Sequence, residues 1–127
     1  MGQFLMKIKI FADDIELEGE IDNSKIGKEI YKRLPFDGAS NRWGDEIYFA
    51  VPIRVDEDKT ASEVVEEGDL AYWHQGHSFC IFFGKTPASE ENLIKAASKV
   101  SVFGKVKGDY KILKKVRHGD LIIVEQA

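Results

Sequence analysis

The sequence of 127 residues has little of several features that mark special classes of protein. Its one cysteine, Cys80, cannot form a disulfide within the chain, so the expected location is a reducing compartment such as the cytoplasm. No apolar run approaches the ~18 residues of a membrane span, and charges interrupt the apolar N-terminal stretch, so we expect no signal peptide and no membrane partner. Only three prolines and no low-complexity tract argue against a disordered or collagen-like chain.

Basic residues are outnumbered in the first half of the chain, and acidic residues are outnumbered in the second half. Residues 1–69 contain 9 Lys and Arg against 17 Asp and Glu, whereas residues 70–127 contain 9 against 5. The basic excess lies mainly in 105–117, which is typical either of a nucleic-acid surface or of a solvated helical face. We favour the solvated face and expect no nucleic-acid partner, because the chain is acidic overall and no aromatic residues are interleaved with the basic ones at the surface.

Alternation of polar and apolar residues predicts a chain made mostly of strands. After Ser24, apolar residues recur every four positions until Pro35, which predicts one main helix over residues 24–34. A loop is predicted at 35–45, a loop or an edge strand at 53–63, and short helices at 93–97 and 110–116. The predicted strands are 4–11, 15–21, 46–51, 70–73, 79–83, 100–106 and 121–124.

The number and spacing of these elements indicate the fold class. Seven or eight short strands separated by regular turns favour a mainly β protein built as a small barrel, with one main helix and one or two short helices. A barrel would also leave no apolar strand edge exposed. With 43% hydrophobic residues and no linker, residues 1–127 are predicted to form a single domain.

The motifs for common active sites are incomplete. Gly84-Lys85-Thr86 resembles the end of a phosphate-binding loop, but the motif needs a glycine at position 79, where the chain has Phe. His74, His77 and Cys80 would alternate faces on a strand and lack a fourth ligand, so we expect no metal site and no cofactor. Cys80 lies in an apolar strand, where burial disfavours the reactive thiolate.

Aromatic residues concentrated between 43 and 83 indicate a binding groove. Most must form the core, but strand alternation turns some outward, where they suit a peptide or a small apolar ligand. Ile47, Phe49 and Trp73 are the better core candidates, so Tyr48 and Tyr72 are predicted to face the groove, or else to cover the outside of the barrel beneath the helix. The predicted ligand-binding residues are Arg42, Glu46, Tyr48, Tyr72, His77 and Phe79.

Three segments together resemble a known family. They are Gly44-Asp45-Glu46-Ile47-Tyr48-Phe49, Gly68-Asp69-Leu70-Ala71-Tyr72-Trp73 and Phe79-Cys80-Ile81-Phe82-Phe83-Gly84-Lys85-Thr86-Pro87. The resemblance is to the small cyclophilin-like proteins of archaea and bacteria, a domain family of unknown function, and it extends over nearly the whole chain. Residues 78–86 and 98–106 also resemble two strands of true cyclophilins. The resemblance implies a closed eight-stranded barrel with a helix at its ends.

The groove residues of the prolyl isomerases in the cyclophilin family are largely missing from this sequence. Their catalytic arginine follows Phe-His on a strand, and the comparable strand here is Glu46-Ile47-Tyr48-Phe49. Their groove tryptophan has no counterpart within 92–97, and Val100 replaces their histidine. Arg42 or Arg54 could replace the arginine only if the fold brings it to the groove, so we expect little or no isomerase activity.

Three functions therefore remain open at the level of the sequence. The first is a binding module that holds a peptide or a small ligand in an aromatic groove, and we favour it. The second is a divergent peptidyl-prolyl isomerase that reuses the groove. The third is a non-catalytic interaction or dimerisation module, and the chain could be a monomer or a homodimer.

Overall fold

Ten strands, one α-helix and one 3₁₀ helix make up the computed structural model, which describes residues 5–127. The strands in chain order are β1 (Met6–Ala12), β2 (Ile15–Ile21), β3 (Phe36–Ala39), β4 (Asn41–Arg42), β5 (Glu46–Ala50), β6 (Ser62–Val65), β7 (Asp69–Trp73), β8 (Ser78–Phe82), β9 (Ile94–Val106) and β10 (Leu121–Gln126). The helix α1 (Lys25–Arg33) follows β2, and the 3₁₀ helix (Tyr110–Lys115) precedes β10.

The sheet is not closed into a barrel, so the predicted closed eight-stranded barrel is wrong in both closure and strand number. Nine strands follow the order β3-β10-β1-β2-β9-β7-β8-β5-β4, and β6 pairs with β9 beside this path. The two end strands, β3 and β4, are neighbours in the chain, but no ladder joins them. The chain changes partner at Ser40, whose backbone N–H donates to the carbonyl of Asp120 at 2.9 Å, between the pairing of β3 with β10 and of β4 with β5.

The predicted main helix is confirmed. Ser24 caps α1, because its Oγ accepts a hydrogen bond from the Gly27 N–H at 3.1 Å. Ile26 and Ile30 face the core, and Lys32 and Arg33 lie in the last turn, where positive charge suits the helix dipole. Within residues 5–127 no helix is long and apolar enough to cross a membrane.

All seven predicted strands overlap observed strands, and the errors are strands that the sequence pattern missed. Residues 15–21 form β2, and the predicted short helix at 110–116 is the 3₁₀ helix, whereas Phe4 lies outside the described residues. The short helix predicted at 93–97 is wrong, because β9 begins at Ile94 and its first residues pair with β6, with Val64 opposite Lys95. The predicted loop at 35–45 contains β3 and β4, and the segment 53–63, predicted as a loop or an edge strand, ends in the start of β6.

The centre of the sheet is buried on both faces. One face of β5, β7 and β8 packs into the main core, which includes Phe49, Tyr72 and Phe79. The opposite face carries a second apolar cluster, which we call the outer cluster. Its buried members are Val65, Ala71, Cys80, Phe82, Ala96 and Val100, and Tyr48, Trp73 and Ile94 pack against them.

An irregularity in β9 reverses the direction in which its side chains point. The register against β7 shifts between Leu70 and Ala71, so β9 has an extra residue there. Before the shift Val100 belongs to the outer cluster, and after it Val106 belongs to the main core. One long strand therefore contributes to both apolar layers.

The uneven charge of the two halves reflects pairing within the fold. Lys105 lies 2.6 Å from Asp69, Lys107 lies 3.2 Å from Glu20, Lys111 lies 3.0 Å from Glu67, and Lys114 lies 2.8 Å from Asp45. Each pair joins a basic residue of the second half to an acidic residue of the first. Four of the six basic residues in 105–117 are thus matched by carboxylates.

Val106 and Val102 offer a matched test of this two-layer arrangement. Val106 is 3% exposed in the main core, whereas Val102 on the same strand is 40% exposed. We expect Val106→Ala to lower the free energy of unfolding by about 2 kcal/mol through lost burial and a residual cavity. Val102→Ala should change it by less than about 0.5 kcal/mol. Urea denaturation of both variants checks this, and equal effects would contradict the assignment of Val106 to the core.

Candidate functional site

An aromatic pocket, which we call the outer pocket, opens beside the outer cluster. Its volume is about 240 Å³. This is slightly below the usual range for drug-sized ligands, so the pocket suits a small molecule or the end group of a larger one. The lining residues come from β5, β7, β9 and the turn before β5, and they are Trp43, Glu46, Tyr48, Trp73, Ala96, Ala97 and Val100.

A tight turn brings Trp43 next to Glu46. The N–H of Trp43 donates to the carbonyl of Glu46 at 3.0 Å, and the N–H of Glu46 donates back to the carbonyl of Trp43 at 3.2 Å. Gly44 in this turn has a φ of 61°, a region that favours glycine, and a Cβ there would lie 2.9 Å from the carbonyl oxygen of Lys85. The turn therefore depends on Gly44 for both its backbone angle and its close packing.

The two other aromatic rings of the outer pocket are held in place by their neighbours. Tyr48 and Trp73 meet edge to face, with ring centroids 5.5 Å apart and an interplanar angle of 79°. The indole N–H of Trp73 donates to Ser98 Oγ at 2.6 Å, and Ser98 Oγ donates to Gln75 Oε1 at 2.9 Å. A Cβ on Gly76 would collide with the Trp73 ring. The aromatic wall is thus formed before any ligand arrives.

Of the lining residues within 5–127, Glu46 carries the one ionisable side chain apart from the phenol of Tyr48. It is only 4% exposed, and burial raises the pKa of its carboxyl to about 7, although a hydrogen bond with the Cys80 thiol acts in the opposite direction. No Lys, Arg or His between residues 5 and 127 lies within ion-pair distance of it. The adjacent Asp45, in contrast, pairs with Arg42 and Lys114.

Cys80 lies beneath the outer pocket as a buried thiol. Burial raises its pKa well above the ordinary value, and the nearby charge of Glu46 raises it further. Cys80 therefore stays protonated and is unsuited to nucleophilic chemistry, as its apolar strand predicts.

Two of the six predicted ligand-binding residues line the outer pocket. Glu46 and Tyr48 line the outer pocket, whereas Arg42, Tyr72, His77 and Phe79 do not. The Arg42 guanidinium donates to the carbonyls of Gly44 at 2.8 Å and Val116 at 2.6 Å, so it fastens the turn to the segment before β10. The ligand-binding role of the six residues stays a prediction.

Tyr72 faces the opposite way from its predicted groove side. It is fully buried in the main core with Phe79, and its hydroxyl donates to the carbonyl of Ile53 at 2.6 Å and contacts His77 Nδ1 at 3.1 Å. The larger Trp73 takes the outer face instead. The prediction placed the larger Trp73 in the core and was wrong. A buried tyrosine needs only one partner for its hydroxyl, and the loop after β5 supplies that partner.

The sequence did not reveal the second wall of the outer pocket. Ala96, Ala97 and Val100 come from β9, whose first residues were predicted to be helical, so nothing placed them opposite Tyr48. Trp43 gave a usable signal, since it stands three positions before Glu46 across a Gly-Asp turn.

His74 and His77 have structural partners, and that of His77 is the Tyr72 hydroxyl. His74 is buried, with Nδ1 at 2.9 Å from the carbonyl oxygen of Val55 and Nε2 at 2.7 Å from Ser101 Oγ. Within the part of the chain that the structure describes, no three potential ligands gather in a way that could hold a metal ion.

Comparison with known proteins gives the class of this chain. The family model described as cyclophilin-like matches residues 6–125, so the chain belongs to the cyclophilin-like family. It is similar to a hypothetical protein from Archaeoglobus fulgidus whose solution structure is known, with 36% identity and a TM-score of 0.81. That similarity covers 99% of this chain and 98% of the other. No curated protein matches the chain.

The raised pKa of Glu46 predicts an unusual dependence of stability on pH. The folded state holds the proton up to about pH 7, whereas the ordinary pKa of a glutamate carboxyl is 4.5, so stability is lost as the pH rises from about 4.5 to about 7. We expect Glu46→Gln to be more stable than the parent protein at about pH 8, by up to about 3 kcal/mol. The advantage should disappear near about pH 4, where both states of the parent are protonated.

Exposed Glu125 supplies the control for this experiment. Urea denaturation at several pH values should show almost no pH-dependent gain for Glu125→Gln. A Glu46→Gln variant that is less stable than the parent at every pH would contradict the account of an unpaired carboxyl.

Proposed function

We propose that this protein is a binding module that holds a small ligand, or the end of a larger one, in the outer pocket without chemical turnover. The observation that carries the proposal is a preformed cavity with three aromatic rings, Trp43, Tyr48 and Trp73, on a sheet face that is otherwise packed. Rings fixed in advance lose little conformational freedom when a ligand binds, which favours affinity. Larger hollows elsewhere are bordered by charged residues such as Lys25, Glu29 and Asp56.

The residues around the outer pocket support binding better than catalysis. Among residues 5–127, Glu46 has no partner base or nucleophile beside it except the protonated thiol of Cys80. An acid-base or acyl-transfer site needs a second group within hydrogen-bonding reach of the reacting atom. The pocket offers shape, apolar surface and one carboxyl.

The two tryptophans of the chain provide a specific probe, because both line the outer pocket. We expect fragments that bind to change tryptophan fluorescence and to shift the indole N–H signals of Trp43 and Trp73 in an NMR screen. Ala97 is exposed at the rim, so Ala97→Phe should block the pocket and weaken binding about tenfold or more while leaving the core intact.

Val102→Phe is the matched control, because Val102 is exposed on the same strand and lies outside the outer pocket. Light scattering on the same samples shows whether a second copy of the chain occupies the site instead. Fragment shifts confined to 105–117, or equal affinity for Ala97→Phe and the parent, would refute the proposed pocket.

The isomerase alternative needs an arginine at the groove, and no arginine among residues 5–127 lines the outer pocket. Arg42 is held by backbone carbonyls and stacks 5.1 Å above the Phe83 ring, and Arg54 lies at the hollow beside α1 rather than at the outer pocket. Prolyl isomerisation requires a donor to the prolyl nitrogen in a dry groove. We therefore expect no rate above background in a protease-coupled assay with an Xaa-Pro peptide. A robust rate that Arg42→Ala abolishes would favour the enzyme.

A further inference from the structure

We propose that the ligand of the outer pocket carries a methylated ammonium group, held over the aromatic rings and beside the Glu46 carboxylate. The inference rests on the proposed binding function and names the chemical class that this site selects. It depends on three features of the pocket, which are the unpaired carboxyl, the aromatic wall and the scarcity of hydrogen-bonding groups.

The first feature is a carboxyl that the protein leaves without a counter-charge. Glu46 is more than nine-tenths buried, and it has no ion-pair partner among residues 5–127. The indole N–H of Trp73 is already committed to Ser98. Burying an unpaired carboxyl destabilises a fold, so a cationic ligand would be stabilised by supplying the counter-charge that Glu46 lacks. An anionic ligand would meet repulsion at the same place.

The second feature is the aromatic wall around that carboxyl. Ring faces of Trp and Tyr attract cations, and cages of such rings are a recurrent solution for quaternary ammonium groups. Trp43, Tyr48 and Trp73 provide three rings in one cavity. An uncharged apolar ligand would use the rings but would leave the carboxyl unsatisfied.

The third feature distinguishes methylated from unmethylated ammonium groups. Among the described side chains that line the outer pocket, only Glu46 and Tyr48 can accept a hydrogen bond. A primary ammonium has three N–H donors to satisfy, whereas a trimethylammonium has none. The methyl groups also match the apolar surfaces of Ala96 and Val100.

The experiment compares cations with uncharged analogues of the same shape. Choline and its carbon analogue, in which a tert-butyl group replaces trimethylammonium, are titrated by tryptophan fluorescence and NMR. A short peptide with one trimethyllysine and the same peptide with unmodified lysine form the second pair. The first pair represents a free small molecule and the second a modified side chain.

We expect at least one trimethylated probe to bind about tenfold more tightly than its comparison compound. Glu46→Gln should remove most of the preference for choline over its uncharged carbon analogue. Glu125→Gln is the matched control and should keep it. The member of the two pairs that binds more tightly identifies the source of the ammonium group.

The failure of this inference differs from the failure of the proposed function. If uncharged fragments bind in the outer pocket and no trimethylated probe is preferred, the cation inference is wrong and the binding module stands. If neither cations nor uncharged fragments perturb Trp43 and Trp73, both are wrong. A cation preference that Glu46→Gln leaves unchanged would also overturn the inference.

Discussion

Burial of β5, β7 and β8 on both faces is the constraint on which the rest of the structure depends. One face supports the main core around Phe49, and the other supports the outer cluster around Phe82. A strand of this kind has no solvent face on which to place a polar side chain cheaply. Glu46 begins β5 on the outer face and is therefore buried with the cluster, which gives the carboxyl its raised pKa.

The outer pocket follows from how β9 covers that second face. The first half of β9 pairs with β6 and β7 and carries Ala96 and Val100 toward the cluster, where small side chains leave space opposite Tyr48. Larger residues at these positions would fill the cavity and complete an apolar layer. Because Ala96 and Val100 are small, the outer pocket stays open, with aromatic rings around the Glu46 carboxyl, and this is the basis of the proposed binding function.

The sequence predicted those parts whose pattern is local and strong. The Ser24 cap and Pro35 stop located α1, and alternation correctly placed Tyr48 opposite Phe49. Long-range effects were not visible: Tyr72 faces inward because the Ile53 carbonyl accepts its hydroxyl, and the segment 94–97 is a strand because β6 pairs with it. The prediction of a closed barrel was wrong for a similar reason. The change of strand partner at Ser40 leaves no recognisable pattern of polar and apolar residues in the short strands β3 and β4.

The most direct measurement is a carbon-13 NMR titration of the Glu46 side-chain carboxyl in the folded protein, assigned by comparison with Glu46→Gln. We expect the midpoint of the titration to give a pKa of about 7, and the tryptophan indole signals of the outer pocket should change over the same pH range. A midpoint close to the ordinary value of 4.5 would show that the carboxyl is hydrated or paired. That result would contradict the claim that the fold buries an uncompensated carboxylic acid inside an aromatic pocket.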